Sequence, residues 1–164
     1  MRVEYINPFV ESTFDMLSQC VGPEVKRGEL SLKPSSKEIS GVAVLVGLAG
    51  DVEGRVLLDM TKDTALYVVN AMTRTLIDPG FEGFASFDDE AKSTIQELAN
   101  MVTAQAVTKL HDLGFKFDLT PPALFTGENM EIATGIEALV VPMTLGEGKK
   151  IAINVAIREK AKQG

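Results

Sequence analysis

The chain has 164 residues, and 45% of them are hydrophobic, which is enough to bury the core of one domain. Its 23 acidic residues outnumber 16 basic ones, and the formal net charge of −7 argues against nucleic acid or an anionic membrane surface as a partner. One cysteine and one histidine exclude an internal disulfide and a Cys/His zinc cluster, and the longest apolar run, residues 41–50, is too short to cross a membrane.

The first predicted element is an amphipathic helix near the start of the chain. Asn7 can cap it, Pro8 suits its first turn, and Gly22-Pro23 ends it. Cys20 is interpreted as a small buried hydrophobe, with a reactive thiol as the alternative. The opening residues lack the long apolar core of a signal peptide, so a cytoplasmic location is expected. The apolar positions of the helix recur at helical spacing: Val10, Phe14, Leu17 and Val21.

Three strands are predicted between the first helix and residue 60. Residues 24–33 place apolar side chains among charged ones and predict a single strand with one exposed face. Residues 40–48 are short and rich in valine, and residues 55–60 resume the apolar pattern after the glycines of residues 50–54. These two runs predict a β-hairpin.

Two further helices are predicted in the middle of the chain. Thr61 or Asp63 caps the first of them, and Asp78-Pro79-Gly80 ends it. The second is the longest, covering about residues 88–113, with Gly114 as its C-terminal cap. The earlier helix is expected to bury Leu66, Val69, Met72 and Leu76.

The residues after the longest helix are predicted to form mostly β-strands. A short strand at residues 115–119 is broken by Pro121-Pro122, and residues 137–145 and 150–159 form a hairpin around the glycines of residues 146–148. Strands joined by tight turns favour antiparallel pairing. The expected fold is therefore α+β, with helices packed on an antiparallel sheet, as one domain over residues 1–159 and a flexible tail at residues 160–164.

The longest helix has two distinct faces. At about 100° per residue, its apolar positions cluster around Ile95 and predict a continuous buried face, which Lys109 joins by extending its amine toward water. The opposite face carries Glu97 and Asn100, which are one turn apart, with the small residues Ser93 and Ala104 beside them. Small side chains on an exposed helix face would allow another protein to approach closely. The buried face is expected to contain Ala91, Ile95, Leu98, Ala99, Val102, Ala106, Leu110 and Leu113.

The Glu97–Asn100 pair has chemistry suited to phosphoryl transfer. An asparagine amide both donates and accepts hydrogen bonds, so Asn100 can hold a water molecule in line with a phosphorus atom. Glu97 can pair with a lysine of a docking protein and set its register. The pair contains neither metal nor nucleophile, so a partner would have to supply them. A glutamate and an asparagine at this spacing are also typical of an ordinary solvated helix face.

Other polar residues have simpler interpretations. His111 is interpreted as an exposed residue stabilised by the helix dipole, with a phosphorelay or general-base role as the alternative. Residues 88–90 are acidic and are expected to cap the longest helix rather than bind a metal. Gly50 and Gly54 are interpreted as hairpin-turn residues, because the segment from Gly50 to Arg55 lacks the spacing of a phosphate-binding loop.

The sequence resembles a known family in and around the longest helix. Ser93-x3-Glu97-x2-Asn100 resembles the phosphatase signature of the CheC, CheX and FliY chemotaxis proteins, in which a proline follows a little over twenty residues later, near Pro121 and Pro122. Three longer stretches resemble CheX-type proteins, so that the resemblance covers most of the chain: INPFVESTFDML, ISGVAVLVGLAGDVEGRVLLDM and LANMVTAQAVTKL.

This resemblance implies a function. Members of the family dephosphorylate the phospho-aspartate of a CheY-like receiver domain, so Asn100 would orient the attacking water and Glu97 would contact a receiver lysine. The receiver would bring the Mg²⁺, and this chain would need no cofactor of its own. CheX-type members form homodimers in which the sheets of two subunits are joined. The first helix has Phe14 three residues after Glu11, where the signature requires asparagine, so no second site is expected there.

Two other classes of function are compatible with the same fold. A non-catalytic adaptor or flagellar-switch-like module would bind the phosphorylated receiver without shortening its lifetime. A regulatory domain that binds a small molecule is a weaker alternative, because the sequence contains no phosphate or nucleotide loop.

Overall fold

The computed structural model describes residues 3–33, 36–133 and 135–160, so the predicted flexible tail lies outside the described residues from residue 161 onward. Helices and strands occur in a mixed order, and a 3₁₀ turn at Gly146–Gly148 joins the last two strands. The elements are α1 (Val3–Val21), β1 (Lys26–Arg27), β2 (Ser31–Lys33), β3 (Ser36–Glu38), β4 (Val42–Gly50), β5 (Val52–Met60), α2 (Lys62–Leu76), α3 (Asp89–Asp112), β6 (Phe117–Leu119), β7 (Ala123–Thr126), β8 (Glu131–Ala133), β9 (Ala138–Thr144) and β10 (Lys150–Glu159).

The strands form an antiparallel sheet, which confirms the predicted α+β class. Its centre is the sequence of neighbours β9-β10-β5-β4. The short strands β1 and β2 both pair with β9 at one edge, and β6 and β7 both pair with β4 at the other. Strands β3 and β8 pair with each other in a separate two-stranded sheet. Both predicted hairpins, β4–β5 and β9–β10, are confirmed. Gly54, which was predicted to lie in the first turn, is instead inside β5, where it pairs with Leu48.

All three helices contribute to one core on one face of the sheet. The apolar alternation of the central strands turns one set of side chains toward the helices, and burial of this apolar area is the main stabilising contribution. The longest helix packs against α1 through the apolar face predicted from its periodicity. Fully buried members of this core include Phe9, Leu17, Leu58, Ile95, Leu98, Leu110, Phe117, Met143, Ile151 and Ile153.

The start of α1 differs from the prediction. Asn7 does not cap the helix, because the helix begins at Val3 and Pro8 lies inside it. Two residues before Asn7 belong to the core: Tyr5 and Ile6 are buried, and the Tyr5 ring packs edge-on against Phe115 with 4.9 Å between centroids. Burial of an aromatic and an aliphatic side chain favours the extra helical turn more strongly than the proline opposes it.

The predicted strand at residues 24–33 is two short strands instead. Arg27 pairs with Met143 and Ser31 with Val140, so three residues of this segment face two residues of β9. This extra residue is a bulge. The Gly28 amide donates to the Pro142 carbonyl at 2.7 Å, and a Cβ on Gly28 would lie 2.8 Å from Pro142 Cγ. The close approach of Pro142 therefore requires glycine and interrupts the strand.

The helix ends are mostly as predicted. Thr61, rather than Asp63, caps α2, because its hydroxyl accepts from the Thr64 amide at 3.1 Å. Asp88 caps α3 by accepting from the Ala91 amide at 2.9 Å. The buried faces stop short of the predicted ends, since Leu76 of α2 and Leu113 after α3 are 44% and 62% exposed. Each lies at or beyond the end of its helix, where nothing in the described core covers it.

Candidate functional site

The predicted site residues lie on the exposed face of α3. Ser93, Glu97, Asn100 and Ala104 are all exposed. The opposite face of the helix is fully buried at Ile95 and Leu98, which holds the helix in one rotation relative to the sheet. The helical periodicity therefore locates the Glu97–Asn100 pair correctly on the surface.

Three of these four residues line an open cleft. The cleft has a volume of about 550 Å³ and lies between α3 and the connection from β6 to β7. Ala104 lies one turn beyond Asn100, on the same exposed face and outside the cleft. The cleft is lined by Ser93, Gln96, Glu97, Asn100, Leu119, Thr120, Pro121 and Pro122.

The second wall of the cleft is a proline-containing bulge at residues 120–122, here called the proline bulge. Leu119 pairs with Leu48 and Ala123 with Leu45, so three residues of this segment face two residues of β4. Pro121 and Pro122 have no amide hydrogen with which to continue the ladder. The edge of the sheet is therefore interrupted directly opposite α3, and the cleft forms at the interruption.

Thr120 fastens the proline bulge to the sheet. Its amide donates to the Gly47 carbonyl at 3.0 Å, and its hydroxyl accepts from the Gly47 amide at 2.7 Å. The hydroxyl thus takes the place of the backbone carbonyl that a regular antiparallel partner would present. A Cβ on Gly47 would lie 2.9 Å from this hydroxyl oxygen, so the contact depends on glycine.

Gln96 fastens the proline bulge to the helix. Its side-chain amide donates to the Pro122 carbonyl at 3.1 Å. Neither Gln96 nor Thr120 was predicted as a site residue, because their roles depend on which segment lies opposite them in space. Pro121 and Pro122 were identified only as a break in the chain and as part of the family signature, and they prove to line the cleft beside Glu97 and Asn100.

The first helix uses its acidic residues structurally. Lys109 of α3 forms ion pairs with Glu11 at 3.8 Å and Asp15 at 3.7 Å, both on α1. The side chain of Lys109 is 35% exposed, as expected for a lysine that covers apolar surface and extends its amine outward. Glu11 is therefore engaged in holding the two helices together, at the position where the family signature is incomplete.

Other candidate residues lie outside the cleft. His111 is exposed near the end of α3, and its Nε2 lies 3.1 Å from the Phe117 carbonyl. Cys20 is buried, and burial raises the pKa of its thiol to about 11, so the thiol remains protonated at neutral pH and is unreactive. Within residues 3–33, 36–133 and 135–160 there is no group of three acidic, histidine or cysteine side chains placed to hold a metal ion.

Among the described residues, no helix is both long and apolar enough to cross a bilayer.

Part of the chain matches the model of a known protein family. Residues 42–144 match the family described as chemotaxis phosphatase CheX. This segment extends from β4 into β9, and it includes α3, the proline bulge and every residue that lines the cleft.

Individual relatives match nearly the whole chain. A curated relative, CheY-P phosphatase CheX of Thermotoga maritima, is 25% identical over 158 residues, which cover 96% of this chain and 98% of the relative. A solved CheX–CheY–BeF3–Mg²⁺ complex from Borrelia burgdorferi contains a chain that is 42% identical, with a TM-score of 0.78 over 96% of this chain and 100% of that one. A CheC-like superfamily protein from Shewanella sp. PV-4 is 26% identical, with a TM-score of 0.77 over 96% and 99%.

Proposed function

Because this chain belongs to the chemotaxis phosphatase CheX family, we propose that it hydrolyses the aspartyl phosphate of a CheY-like receiver domain and thereby ends a chemotaxis signal. The observation that carries the proposal is the exposed Glu97–Asn100 pair, which lines one cleft together with the proline bulge. The similarity to the CheY-P phosphatase of Thermotoga maritima and to the CheX chain of the CheX–CheY complex supports the same substrate class.

Asn100 orients the water that attacks the phosphorus atom. Its amide oxygen accepts a hydrogen bond from the water, and its amide nitrogen donates one to the transferring group. The water oxygen forms a bond to phosphorus as the bond between phosphorus and the aspartyl oxygen breaks, which releases inorganic phosphate and restores the receiver carboxylate. The exposure of Asn100 in an open cleft leaves it accessible to a phosphoryl group held on another protein. No covalent intermediate forms on this chain.

Glu97 fixes the position of the receiver. Its exposed carboxylate is one helical turn from Asn100, so an ion pair between Glu97 and a receiver lysine would set the distance from Asn100 to the phosphoryl group. Ser93 and Ala104 contribute to binding by being small, because neither side chain would hold the receiver away from the helix.

The receiver supplies the metal ion. Phosphoryl transfer requires neutralisation of the developing charge on the phosphoryl oxygens, and Mg²⁺ bound to the receiver provides it. The complex of the Borrelia burgdorferi relative with CheY contains Mg²⁺, which agrees with this division of roles. The reaction would take place in the cytoplasm, where receiver domains are phosphorylated.

Multiple turnover separates this proposal from a non-catalytic adaptor. With a cognate receiver kept phosphorylated by acetyl phosphate in Mg²⁺, we expect the steady release of inorganic phosphate to rise in proportion to this protein when it is present at about a tenth of the receiver concentration. An enzyme turns over many receivers, whereas an adaptor acts only stoichiometrically. Phosphate release that stays at the rate of the receiver alone, while binding is demonstrated, would favour the adaptor.

A homodimer joined through the sheets is part of the same proposal. Of the two sheet edges, the one at β6 and β7 is interrupted by prolines that cannot donate to a partner strand. The opposite edge carries β2, and Leu30 and Leu32 there are 56% and 57% exposed. Within residues 3–33, 36–133 and 135–160, β2 pairs only with β9, and open strand backbone beside exposed leucines favours association between two copies.

We expect Leu32→Glu to convert the dimer to a monomer, because the charge would be desolvated in the interface. Light scattering coupled to size-exclusion chromatography measures the mass of each species. Leu113→Glu is the matched control, since Leu113 is 62% exposed and lies after α3, away from this edge. A parent protein that is monomeric at high micromolar concentration, or a Leu32→Glu variant that remains dimeric, would contradict this edge as the interface.

A further inference from the structure

The two walls of the cleft belong to different parts of the fold. Glu97 and Asn100 lie on α3, whose position is determined by its buried face in the core. The proline bulge lies at the sheet edge and lacks two of the amide hydrogens that would hold a regular strand in place. The separation of the walls therefore depends on the side-chain contacts that fasten the bulge.

Those contacts act at the two ends of the proline bulge. At its beginning, Thr120 is hydrogen-bonded to both backbone groups of Gly47, which ties the bulge to β4. At its end, the Gln96 side chain donates to the Pro122 carbonyl at 3.1 Å, which ties the bulge to α3. The first contact fixes the bulge to the sheet, and the second fixes it relative to the helix that carries Asn100.

The Gln96 bond is placed to influence the reaction. Gln96 is half-buried at the boundary between the two faces of α3, so its bond to Pro122 is partly shielded from water. It is four residues before Asn100, which puts the two side chains one turn apart on neighbouring parts of the helix surface. A partner seated against both walls would therefore be aligned with Asn100 by the separation that Gln96 maintains.

We propose that Gln96 is a positioning residue, which sets the distance between α3 and the proline bulge so that a docked phosphoryl group is aligned with Asn100. The inference rests on the proposed phosphatase function and adds to it a residue outside the Ser93, Glu97 and Asn100 signature. Gln96 acts through the Pro122 carbonyl and does not itself touch the phosphoryl group.

Two variants remove the bond in different ways. Gln96→Ala deletes the donor, and Gln96→Glu keeps the length of the side chain but directs a carboxylate, which only accepts, at the Pro122 carbonyl. A small misalignment of a reacting group lowers turnover steeply, so we expect kcat for receiver dephosphorylation to fall about tenfold in both variants. KM for the phosphorylated receiver should change by less than about threefold, because Glu97, the proposed contact to the receiver lysine, is retained in both variants.

Gln105→Ala is the matched control. Gln105 is also a half-buried glutamine on α3, but it does not line the cleft, and we expect its variant to keep the parent kcat and KM. A role of Gln96 in stability alone would lower the melting temperature of its variants while leaving kcat unchanged at temperatures at which they are folded. If both Gln96 variants keep kcat within about twofold of the parent, the positioning role is overturned.

Amide hydrogen exchange distinguishes failure of this inference from failure of the proposed function. Loss of the bond should speed the exchange of the amides at residues 117–126 in Gln96→Ala, relative to Gln105→Ala, whether or not the protein is a phosphatase. Parent protein that leaves the receiver phosphorylated would overturn the proposed function, and faster exchange would then still show that Gln96 holds the bulge. Unchanged exchange at residues 117–126 would overturn the inference itself.

Discussion

Replacement of Asn100 by alanine should abolish the acceleration of receiver dephosphorylation while leaving the protein folded. Asn100 is exposed, so its truncation should change the free energy of unfolding by no more than about 0.5 kcal/mol. Without the amide, the attacking water is no longer held in line with the phosphorus atom, and we expect kcat to fall at least about a hundredfold. Single-turnover decay of the phosphorylated receiver at saturating concentrations of the variant measures this loss.

Two comparisons make this result specific to the amide. Asn100→Asp keeps the size of the side chain but replaces its donor with a negative charge that repels the phosphoryl oxygens, so it should also be inactive. Thr108→Ala changes an exposed residue two turns further along α3, outside the cleft, and should keep full activity. Activity retained in Asn100→Ala would rule out the proposed role of this residue.

The largest expected effect on stability is that of Gly54→Ala. Strands β5 and β10 pair through nine residue pairs, and Gly54 lies opposite Ile157 in this ladder. A Cβ on Gly54 would overlap the Ala156 carbonyl oxygen and lie 2.9 Å from Ile157 Cα. Both neighbours are backbone atoms in the centre of the sheet, so the strands would have to separate. We expect a loss of about 3 kcal/mol or more, at the upper end of the cost of overpacking.

Thermal unfolding measures this effect. For a chain of this length, about 3 kcal/mol lowers Tm by roughly 10 °C, and a variant that fails to accumulate as soluble protein would agree with a larger loss. Gly80→Ala is the control, because its nearest neighbour would be a side-chain oxygen of Asp78 at 3.5 Å and its backbone has an ordinary conformation. Its stability should stay within about 0.5 kcal/mol of the parent. A Tm for Gly54→Ala within about 2 °C of the parent would contradict this close approach of β5 and β10.

Sequence periodicity predicted the long elements well. Of the eight residues expected on the buried face of α3, only Leu113 is exposed, because it follows the end of the helix. A long helix repeats the spacing of its apolar residues over several turns, so one polar residue on the buried face does not obscure the period. The two long hairpins were predicted for a similar reason, since valine-rich strands bounded by glycines are distinctive.

Short strands, and helix boundaries that depend on tertiary packing, could not be predicted from sequence periodicity. Strands β3, β7 and β8 have only three or four residues each, too few to show a period. The predicted start of α1 was wrong. Asn7 and Pro8 favour a helix that begins there, but burial of Tyr5 and Ile6 places the first residue of the helix earlier, at Val3. Local preferences decide an element boundary only where packing does not override them.

Some residues of the candidate site could be predicted from the sequence, and others depend on tertiary structure. The spacing and exposure of Glu97 and Asn100 follow from helical geometry, but their choice as the catalytic pair also depended on the resemblance to the family signature. The cleft could not be identified, because its other wall comes from the proline bulge more than twenty residues away in the chain. Gln96 was not singled out from the sequence, and only the position of the Pro122 carbonyl gives it a role.

The measurement that tests the central claim most directly is the half-life of a phosphorylated CheY-like receiver after its phosphodonor has been removed. It is followed in Mg²⁺ with and without this protein. The proposed function predicts a clearly shorter half-life in its presence, and a return to the spontaneous value when Asn100→Ala is used instead. A half-life that remains at the spontaneous value, although the two proteins are shown to bind, would contradict catalysis and favour a receiver-binding adaptor.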